Sequence, residues 1–416
     1  MARPYICLLA LAAVLLLGIA TISRSRGLRD KAHQSAPRIP SQFSQEERVA
    51  MKEALKVWLS LSLLFIPLLL VFPTVFKTSF IRHEVVGEYS HLFTVHGSDP
   101  SLQPYMLLAH IDVVPAPDEG WEVPPFSGLE RNGFIYGRGT IDNKNSVMGI
   151  LQSLELLLIR NYIPRRSFFI ALGHDEEVEP PHPIWVPLQA SSCSSSSTPS
   201  LRTPYATVVA LKRPKKKKKT NKVSREPGLR NSDPVMLMER NYITNALVRT
   251  TTALTMFNSG IKVNVIPAVA QAIVDFRIHP AQTVQEVLKL AKDIVADDRV
   301  QFHVLNAFDP PPISPYDDQA LGYQLLRQTI QSVFPEVNIV VPGTCVGNTD
   351  SRHYSNLTTG IYLFNPLYLQ PQSFRFVHGI NERISVQAYE RQVKFIFEFI
   401  QDADTDPRPV PHLHEL

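Results

Sequence analysis

Two adjacent glutamates, Glu176 and Glu177, follow an apolar segment, 167–172, that the sequence predicts to be a buried strand. Carboxylates at the end of a buried strand are partly desolvated, and they repel each other unless cations lie nearby. A metal site would explain the pair, because one carboxylate could bind the ion while the other transfers protons. The alternative is an ordinary solvated turn, so the question is whether other residues converge on these two.

A histidine and an aspartate close a second predicted strand, 105–109. Residues two apart on a strand face the same side, so Asp112 could orient the ring of His110 and leave one nitrogen free for a metal ion. A glycine-rich segment, 137–144, then places Asp142 directly before a predicted helix. An aspartate at that position is most often a simple N-cap, so Asp142 alone indicates little.

The remaining candidate is His378, in the segment 377–382 that leads into a helix predicted to begin after Ser385. A single histidine in a loop is usually not a ligand. The four motifs together are far more specific than any one of them, because two of them close buried strands. In open α/β sheets, functional sites form at the carboxyl ends of the strands, so we expect these residues to meet there.

The elements that must carry these residues alternate between strands and helices from residue 80 to 173. This pattern predicts an α/β fold whose catalytic domain contains a mostly parallel sheet with helices packed on it. The segment 146–160 has apolar residues at helical spacing. Ser44 and Glu47 fit a capping box, which predicts a helix that continues through Val57.

A smaller α+β domain is predicted after residue 236. Alternation over 261–278 predicts a strand, a turn and a second strand. A capping box at Thr283 begins a helix that ends near residue 296, and 300–305 is predicted to be one more strand. The last predicted elements are a helix over 317–334, a strand over 361–364 and a helix from 386 to about 402.

The composition excludes few classes of function, because 44% of the residues are apolar, as in an ordinary globular protein, and the net charge is only +4. A single lysine run, 212–219, more than accounts for that charge. The run resembles a nucleic-acid patch, but a solvated loop is the simpler interpretation, and no nucleic-acid partner is predicted. Residues 178–235 show no periodicity and are rich in serine, proline and lysine, which predicts disorder. The three cysteines provide no disulfide framework.

The N-terminus has a positive start, a short apolar stretch and a polar exit, which predict a signal peptide over 1–25 and a secreted protein. An uncleaved membrane anchor is the alternative. The uncharged run 57–76 is long enough to span a bilayer, although Pro67 and Pro73 argue against one straight helix. The triplet at Asn356 is an N-glycosylation sequon, which suits secretion.

The combination of His-x-Asp, a glycine-rich aspartate loop, Asp-Glu-Glu and His-Gly-x-Asn-Glu resembles the M20 metallopeptidase family over roughly residues 77–177 and 236–416. The resemblance implies two zinc ions that share a bridging carboxylate. It also implies an amidohydrolase that cleaves N-acyl amino acids, with N-fatty-acyl amino acids favoured, or forms them in reverse. The implied roles are His110 on one zinc, Glu177 and His378 on the other, Asp142 as the bridge, Glu176 as the general base and Asp112 as the residue that orients His110.

The resemblance further implies a lid domain that contacts the substrate and mediates a homodimer. Asn264, in an Asn-x-Ile-Pro motif, would meet the carbonyl of the small-molecule substrate, and Arg277 and Arg352 would bind its carboxylate. Arginine suits that task because its planar group donates two parallel hydrogen bonds. The alternative for each arginine is a surface ion pair.

Residues 178–235 depart from the family pattern. They lack the segment whose aspartate completes the zinc site at His110, and they lack the first half of the lid. That zinc would keep two protein ligands, whereas catalytic zinc sites normally have three, so weak occupancy is predicted. The truncated lid also weakens the case for a dimer. The alternatives are a dipeptidase or carboxypeptidase of the same fold and a non-catalytic variant.

The missing segments would leave unpaired strand edges, which predicts poor secretion and aggregation. The predicted organisation has five parts: a signal peptide over 1–25, the first part of the catalytic domain over 44–177, a low-complexity segment over 178–235, a partial lid over 236–308 and the second part of the catalytic domain over 309–405.

Overall fold

The computed structural model describes residues 38–60, 66–177, 206–212, 238–240, 242–343, 347, 349–367 and 371–405. The signal peptide predicted over 1–25 lies outside them. Numbered along the described chain, the helices are α1 Gln45–Ser60, α2 Ile66–Val71, α3 Pro73–Lys77, α4 Lys144–Ile159, α5 Tyr242–Asn245, α6 Val284–Val295, α7 Leu321–Val333 and α8 Val386–Asp402. The strands are β1 Ile81–Val86, β2 Ser90–Val95, β3 Tyr105–His110, β4 Glu130–Arg131, β5 Phe134–Tyr136, β6 Phe168–Gly173, β7 Ala206–Lys212, β8 Thr251–Ser259, β9 Ala270–Arg277, β10 Val337–Gly343, β11 Tyr362–Leu363 and β12 Arg383–Ser385.

The α/β fold class is confirmed, but the main sheet is mixed rather than mostly parallel. Its strand order is β1-β2-β6-β3, and only the β3–β6 pair is parallel. The cause lies in the connections. A short turn joins β1 to β2 and permits only an antiparallel pair, whereas helix α4 lies between β3 and β6 in the chain and permits a parallel one.

The core lies where helices α1, α4 and α8 pack together against this sheet. Leu59 of α1, Leu154 of α4 and Phe397 of α8 are fully buried. The helix start predicted at Ser44 is confirmed, whereas the helix predicted over 317–334 begins only at Leu321. The Ser44 side chain accepts a hydrogen bond from the amide of Glu47, 3.2 Å away, and the carboxylate of Glu47 accepts one from the amide of Ser44, 2.7 Å away.

The described parts of the uncharged run, 57–60 and 66–76, lie in three helices, and several of their side chains belong to the core. Helix α1 ends at Ser60, and the prolines stand in the first turns of α2 and α3, where a missing amide hydrogen has no cost. Phe72 and Val75 are buried. Within the described residues, no helix is both long enough and apolar enough to cross a bilayer.

A second sheet has the order β10-β7-β11. Strand β7 pairs antiparallel with β10 and parallel with β11. The prediction of disorder over 178–235 is therefore wrong for residues 206–212, because these residues form a strand between two others. The first lysine of the run, Lys212, is included. Composition alone missed this strand because its backbone partners lie more than a hundred residues further along the chain.

The segment predicted to form a partial lid contains the β8–β9 hairpin and helix α6 in the described residues. The capping box at Thr283 is confirmed. The second strand predicted within 261–278 is present as β9, but its partner β8 precedes residue 260 instead of lying within that range. The strand predicted over 300–305 is absent from the described structure. The Val300 amide donates to the Asp297 carbonyl, 3.0 Å away, and forms a turn. The hairpin and helix leave several apolar side chains exposed: Leu254, Met256, Phe257, Leu290 and Ile294.

Candidate metal centre

Strands β3 and β6 bring the first two motifs together. They are parallel neighbours in which His110 stands opposite Gly173. The Ile111 amide donates to the Gly173 carbonyl across a distance of 2.7 Å, so the pairing continues one residue beyond β3. The segments that follow the two strands, with Asp112 and Glu177, therefore begin at the same edge of the sheet.

Asp142 presents one carboxylate oxygen to each of two histidines. Its Oδ1 lies 3.1 Å from the Nε2 of His110, and its Oδ2 lies 3.1 Å from the Nε2 of His378. The N-cap of α4 is Asn143 rather than Asp142. The simple N-cap interpretation of Asp142 is thus wrong, and the carboxylate is arranged as a bridge between the two histidine motifs.

Glu177 completes a cluster around His378. Its Oε1 lies 3.2 Å from the Nε2 of His378, and its side chain is only 7% exposed. This Oε1 is buried without a hydrogen-bond partner in the described structure. The pair Glu176–Glu177 is therefore not the solvated turn that was the alternative, and the unpartnered oxygen suits a bound cation.

Asp112 contacts both Glu177 and His110. Its carboxylate Oδ2 accepts a hydrogen bond from the amide of Glu177, 2.8 Å away. The Nδ1 of His110 lies 3.2 Å from the carbonyl oxygen of Asp112 and 3.3 Å from its Oδ1. The Oδ1 contact is an ion pair without good hydrogen-bond alignment, because Oδ1 has no hydrogen-bond partner. Both contacts leave the Nε2 of His110 facing Asp142, as a metal ligand requires.

The donor set fits a metal ion. Ligand atoms of His110, Asp142 and Glu177 all lie within 4.8 Å of one another, and this is the only such group of three or more in the part of the chain that the structure describes. Histidine nitrogens combined with carboxylate oxygens are typical zinc ligands.

The metal-free cluster holds its histidines in the charged form. Burial disfavours the charge on His110, but contacts with Asp112 and Asp142 outweigh it and raise its pKa to about 11. Contacts with Asp142 and then with Glu177 raise the pKa of His378 to about 10. Burial works against the charge of Asp142, yet the two histidines hold its pKa well below the usual range.

Glu176 lies beside the cluster without belonging to it. Burial raises the pKa of its carboxyl to about 7; nearby His110 opposes this effect, and Glu177 and Asp350 reinforce it. A carboxylate whose pKa lies near neutrality can both accept and return a proton at physiological pH. This is the property that the sequence-based role of general base requires.

None of the three residues that the resemblance assigns to substrate binding has a described hydrogen bond or ion pair with this cluster. Asn264 is exposed in the segment between β8 and β9. Arg277 is 53% exposed and pairs with Asp275, 2.9 Å away, which is the surface ion pair foreseen as the alternative. Arg352 lies in a 3-10 helix, Asp350–Tyr354, with its guanidinium 5.4 Å from the centre of the Phe308 ring.

Sequence reasoning missed three polar residues near the site. The Asp350 carboxylate packs on Gly173, where an added Cβ would lie 2.2 Å from its Oδ2. Arg138 and Glu382 form a buried ion pair with an N–O distance of 2.7 Å. Each was part of a segment already singled out, but no local pattern indicated that Arg138 and Glu382 pair across 244 positions.

Comparison with known proteins agrees with this site. Residues 106–402 match the profile of Peptidase family M20/M25/M40. N-fatty-acyl-amino acid synthase/hydrolase PM20D1 of Bos taurus is 60% identical over 503 aligned positions that cover all of both chains, and its Homo sapiens namesake is 54% identical over 502. Because this chain has 416 residues, the bovine alignment contains at least 87 positions with no counterpart here.

Solved structures share the fold. An M20 family metallo-carboxypeptidase from Sulfolobus solfataricus has a TM-score of 0.59 at 16% identity and covers 87% of this chain and 100% of its own. Human carnosine dipeptidase 1 has a TM-score of 0.55 at 14% identity and covers 86% and 97%. The matched profile includes every residue of the cluster, from His110 to His378, and the chain therefore belongs to Peptidase family M20/M25/M40.

Proposed function

We propose that this chain is a zinc-dependent amidohydrolase that cleaves N-fatty-acyl amino acids and, in reverse, condenses a fatty acid with an amino acid. The observation that carries the proposal is the Asp142 carboxylate, which faces His110 with one oxygen and His378 with the other, beside the buried Glu176. The substrate class rests on relatives that are 54–60% identical over the full chain and bear that activity in their names.

Each residue of the cluster has a distinct task in this proposal. Bound zinc ions supply Lewis-acid polarisation of the amide carbonyl and activation of water. His110 would hold one ion, Glu177 and His378 the other, and Asp142 would serve both. Glu176 is close enough to interact electrostatically with His110, Glu177 and Asp142, and its carboxylate makes no hydrogen bond in the described structure.

Proton transfer falls to Glu176. Its carboxylate would take a proton from the attacking water and pass it to the leaving amine of the amino acid. In the condensing direction the same group would remove a proton from the incoming amine. Asp112 would keep His110 in the tautomer whose Nε2 faces Asp142.

Hydrolysis of N-oleoyl-phenylalanine tests the proposal. The wild-type chain, Glu176→Gln and the exposed control Glu46→Gln should be assayed with zinc and after chelation. We expect zinc-dependent release of phenylalanine by wild type and control, and a loss of about 10²- to 10⁴-fold in Glu176→Gln. Equal rates for all three proteins would overturn the enzymatic assignment of Glu176.

A non-catalytic variant is the second candidate, and one observation favours it. At least 87 positions of the bovine relative have no counterpart here. The family resemblance implies that the third protein ligand of the zinc at His110 belongs to a segment that this chain lacks. In that case the purified chain would bind zinc at the His378 side of the cluster but release no phenylalanine. Turnover by the wild-type chain would exclude it.

We also propose that the chain is secreted, on the basis of the signal-like residues 1–25. The exposed Asn356 would then be accessible for glycosylation. Expression in animal cells followed by N-terminal sequencing of the medium fraction tests this. A product found only inside the cell, with Met1 retained, would contradict it.

A further inference from the structure

A buried carboxylate lies directly behind the metal cluster. Glu382 is 0% exposed, and it accepts hydrogen bonds from three backbone amides of the glycine-rich loop. Its Oε2 lies 3.1 Å from the amide of Gly139, and its Oε1 lies 2.7 Å from that of Ile141 and 3.1 Å from that of Asp142. The last of these bonds holds the backbone of the bridging aspartate itself.

Arg138 connects the same carboxylate to the other ligand loop. Its side chain is 3% exposed, and its Nη1 donates to the Oε2 of Glu382 across 2.7 Å. Its Nη2 donates to the carbonyl oxygen of His378 across 3.3 Å. One guanidinium therefore binds both Glu382 and the backbone of His378.

The backbone joins these segments as well. The Gly137 amide donates to the Glu382 carbonyl across 3.0 Å, and Arg383 of β12 pairs with Tyr136 of β5. The two loops that present Asp142 and His378 thus share one short sheet and one buried ion pair. This explains why the His378 Nε2 and the Asp142 Oδ2 lie only 3.1 Å apart although 236 positions separate the residues.

We propose that Glu382 and Arg138 are positioning residues for the metal site, which hold the bridging Asp142 and the ligand His378 at the separation that a zinc ion requires. The proposal rests on the proposed zinc binding. Replacement of a buried ion pair by apolar residues is often neutral for stability, so a contribution to folding does not by itself explain the pair. Groups that orient metal ligands typically contribute 10- to 100-fold in metal affinity.

The chain offers a matched control for a purely structural role. Glu155 is another buried carboxylate, 7% exposed, and it accepts hydrogen bonds from the amides of Thr74 and Val75 at 3.0 and 2.8 Å. It stands on α4 against the start of α3, and within the described residues it has no hydrogen bond or ion pair with a residue of the cluster. Glu155→Gln and Glu382→Gln therefore make the same chemical change in two buried amide-binding carboxylates, only one of which supports the ligand loops.

Zinc affinity and thermal unfolding should be measured for wild type, Glu382→Gln, Arg138→Lys and Glu155→Gln, with zinc alone as the probe. We expect a 10- to 100-fold loss of affinity in folded Glu382→Gln and a loss in the same direction in Arg138→Lys. Lysine keeps the charge but lacks the planar fork whose two nitrogens reach Glu382 and the His378 carbonyl separately. Glu155→Gln should bind zinc like the wild type even if its Tm falls equally.

Three results would overturn the proposal: unchanged zinc affinity in both Glu382→Gln and Arg138→Lys, the same loss of affinity in Glu155→Gln, or a loss that only follows the unfolded fraction. A wild-type chain that binds no zinc would instead defeat the proposed function. The positioning role would then be decided by amide hydrogen exchange in the metal-free proteins. Exchange of the Ile141 and Asp142 amides, which donate to Glu382, should accelerate in Glu382→Gln but not in Glu155→Gln, and unchanged exchange at both amides would refute the role.

Discussion

Zinc binding should expel a proton from His378, and the number of protons released reports which ligands the metal uses. In the metal-free protein, Asp142 and Glu177 lie 3.1 and 3.2 Å from the Nε2 of His378 and raise its pKa to about 10. At pH 7 only about one molecule in a thousand therefore carries this ring in the neutral form. A histidine ligand must be neutral, so the ion displaces the proton.

Because zinc and a proton compete for the His378 ring, zinc affinity should depend on pH. The apparent affinity of the site at Glu177 and His378 should rise about tenfold per pH unit above pH 7 and level off near pH 10, where the ring becomes neutral without the metal. His110, with a pKa of about 11, should release its proton only in a second and weaker step, because the family resemblance assigns only two protein ligands to its zinc. Glu176, with a pKa of about 7, is about half protonated at pH 7 and should release at most about half a proton more when zinc binds.

Calorimetric zinc titrations at pH 7, in buffers of different ionisation enthalpy, count these protons. We expect about one to one and a half protons in the tight step. His378→Gln should remove the tight step, and His110→Gln should leave it unchanged. A tight step that releases no proton, or two equally tight steps, would refute both the assignment of His378 and the unequal filling of the two sites.

Three substitutions test the framework around the site. In Gly379→Ala the new Cβ would lie 2.2 Å from the carbonyl oxygen of Arg375. The backbone beside His378 must therefore move, and zinc affinity should fall. Gly360→Ala is the control in the same titration, because its Cβ would make only ordinary van der Waals contacts. Ser385→Ala removes the cap of α8 and should lower the free energy of unfolding in urea by about 1 kcal/mol, and an unchanged midpoint would count against the cap. Phe72→Ala should cost about 3–5 kcal/mol in the same assay, and a negligible cost would show that the run 57–76 is not core.

The local elements could be predicted wherever neighbouring residues decide them. The Ser44 and Thr283 capping boxes and the helix start at Ser385 depend on contacts three positions apart, and all three are present. The strands that end at His110 and Gly173 were found because buried strands are continuous apolar runs.

The secondary-structure predictions that were wrong concern strands, which depend on partners far away in the chain. The strand Ala206–Lys212 lies in a segment whose composition predicts disorder, and it forms because β10 and β11 supply hydrogen bonds on both sides. The reverse holds for 300–305, an apolar stretch that finds no neighbouring strand in the described structure and remains irregular. Pairing, rather than local propensity, decides both cases.

The residue types of the candidate site were determined by the sequence alone, since His110, Asp142, Glu177 and His378 each stand in a recognisable motif. Only the tertiary structure decided that the two oxygens of Asp142 face different histidines and that its position before α4 is not an N-cap. Only the fold could reveal the role of the Glu382 carboxylate, because its partners lie some 240 positions away. The physical reason is that a motif specifies which atoms can bind a metal, whereas their separation is set by long-range backbone pairing and buried hydrogen bonds that no local pattern encodes.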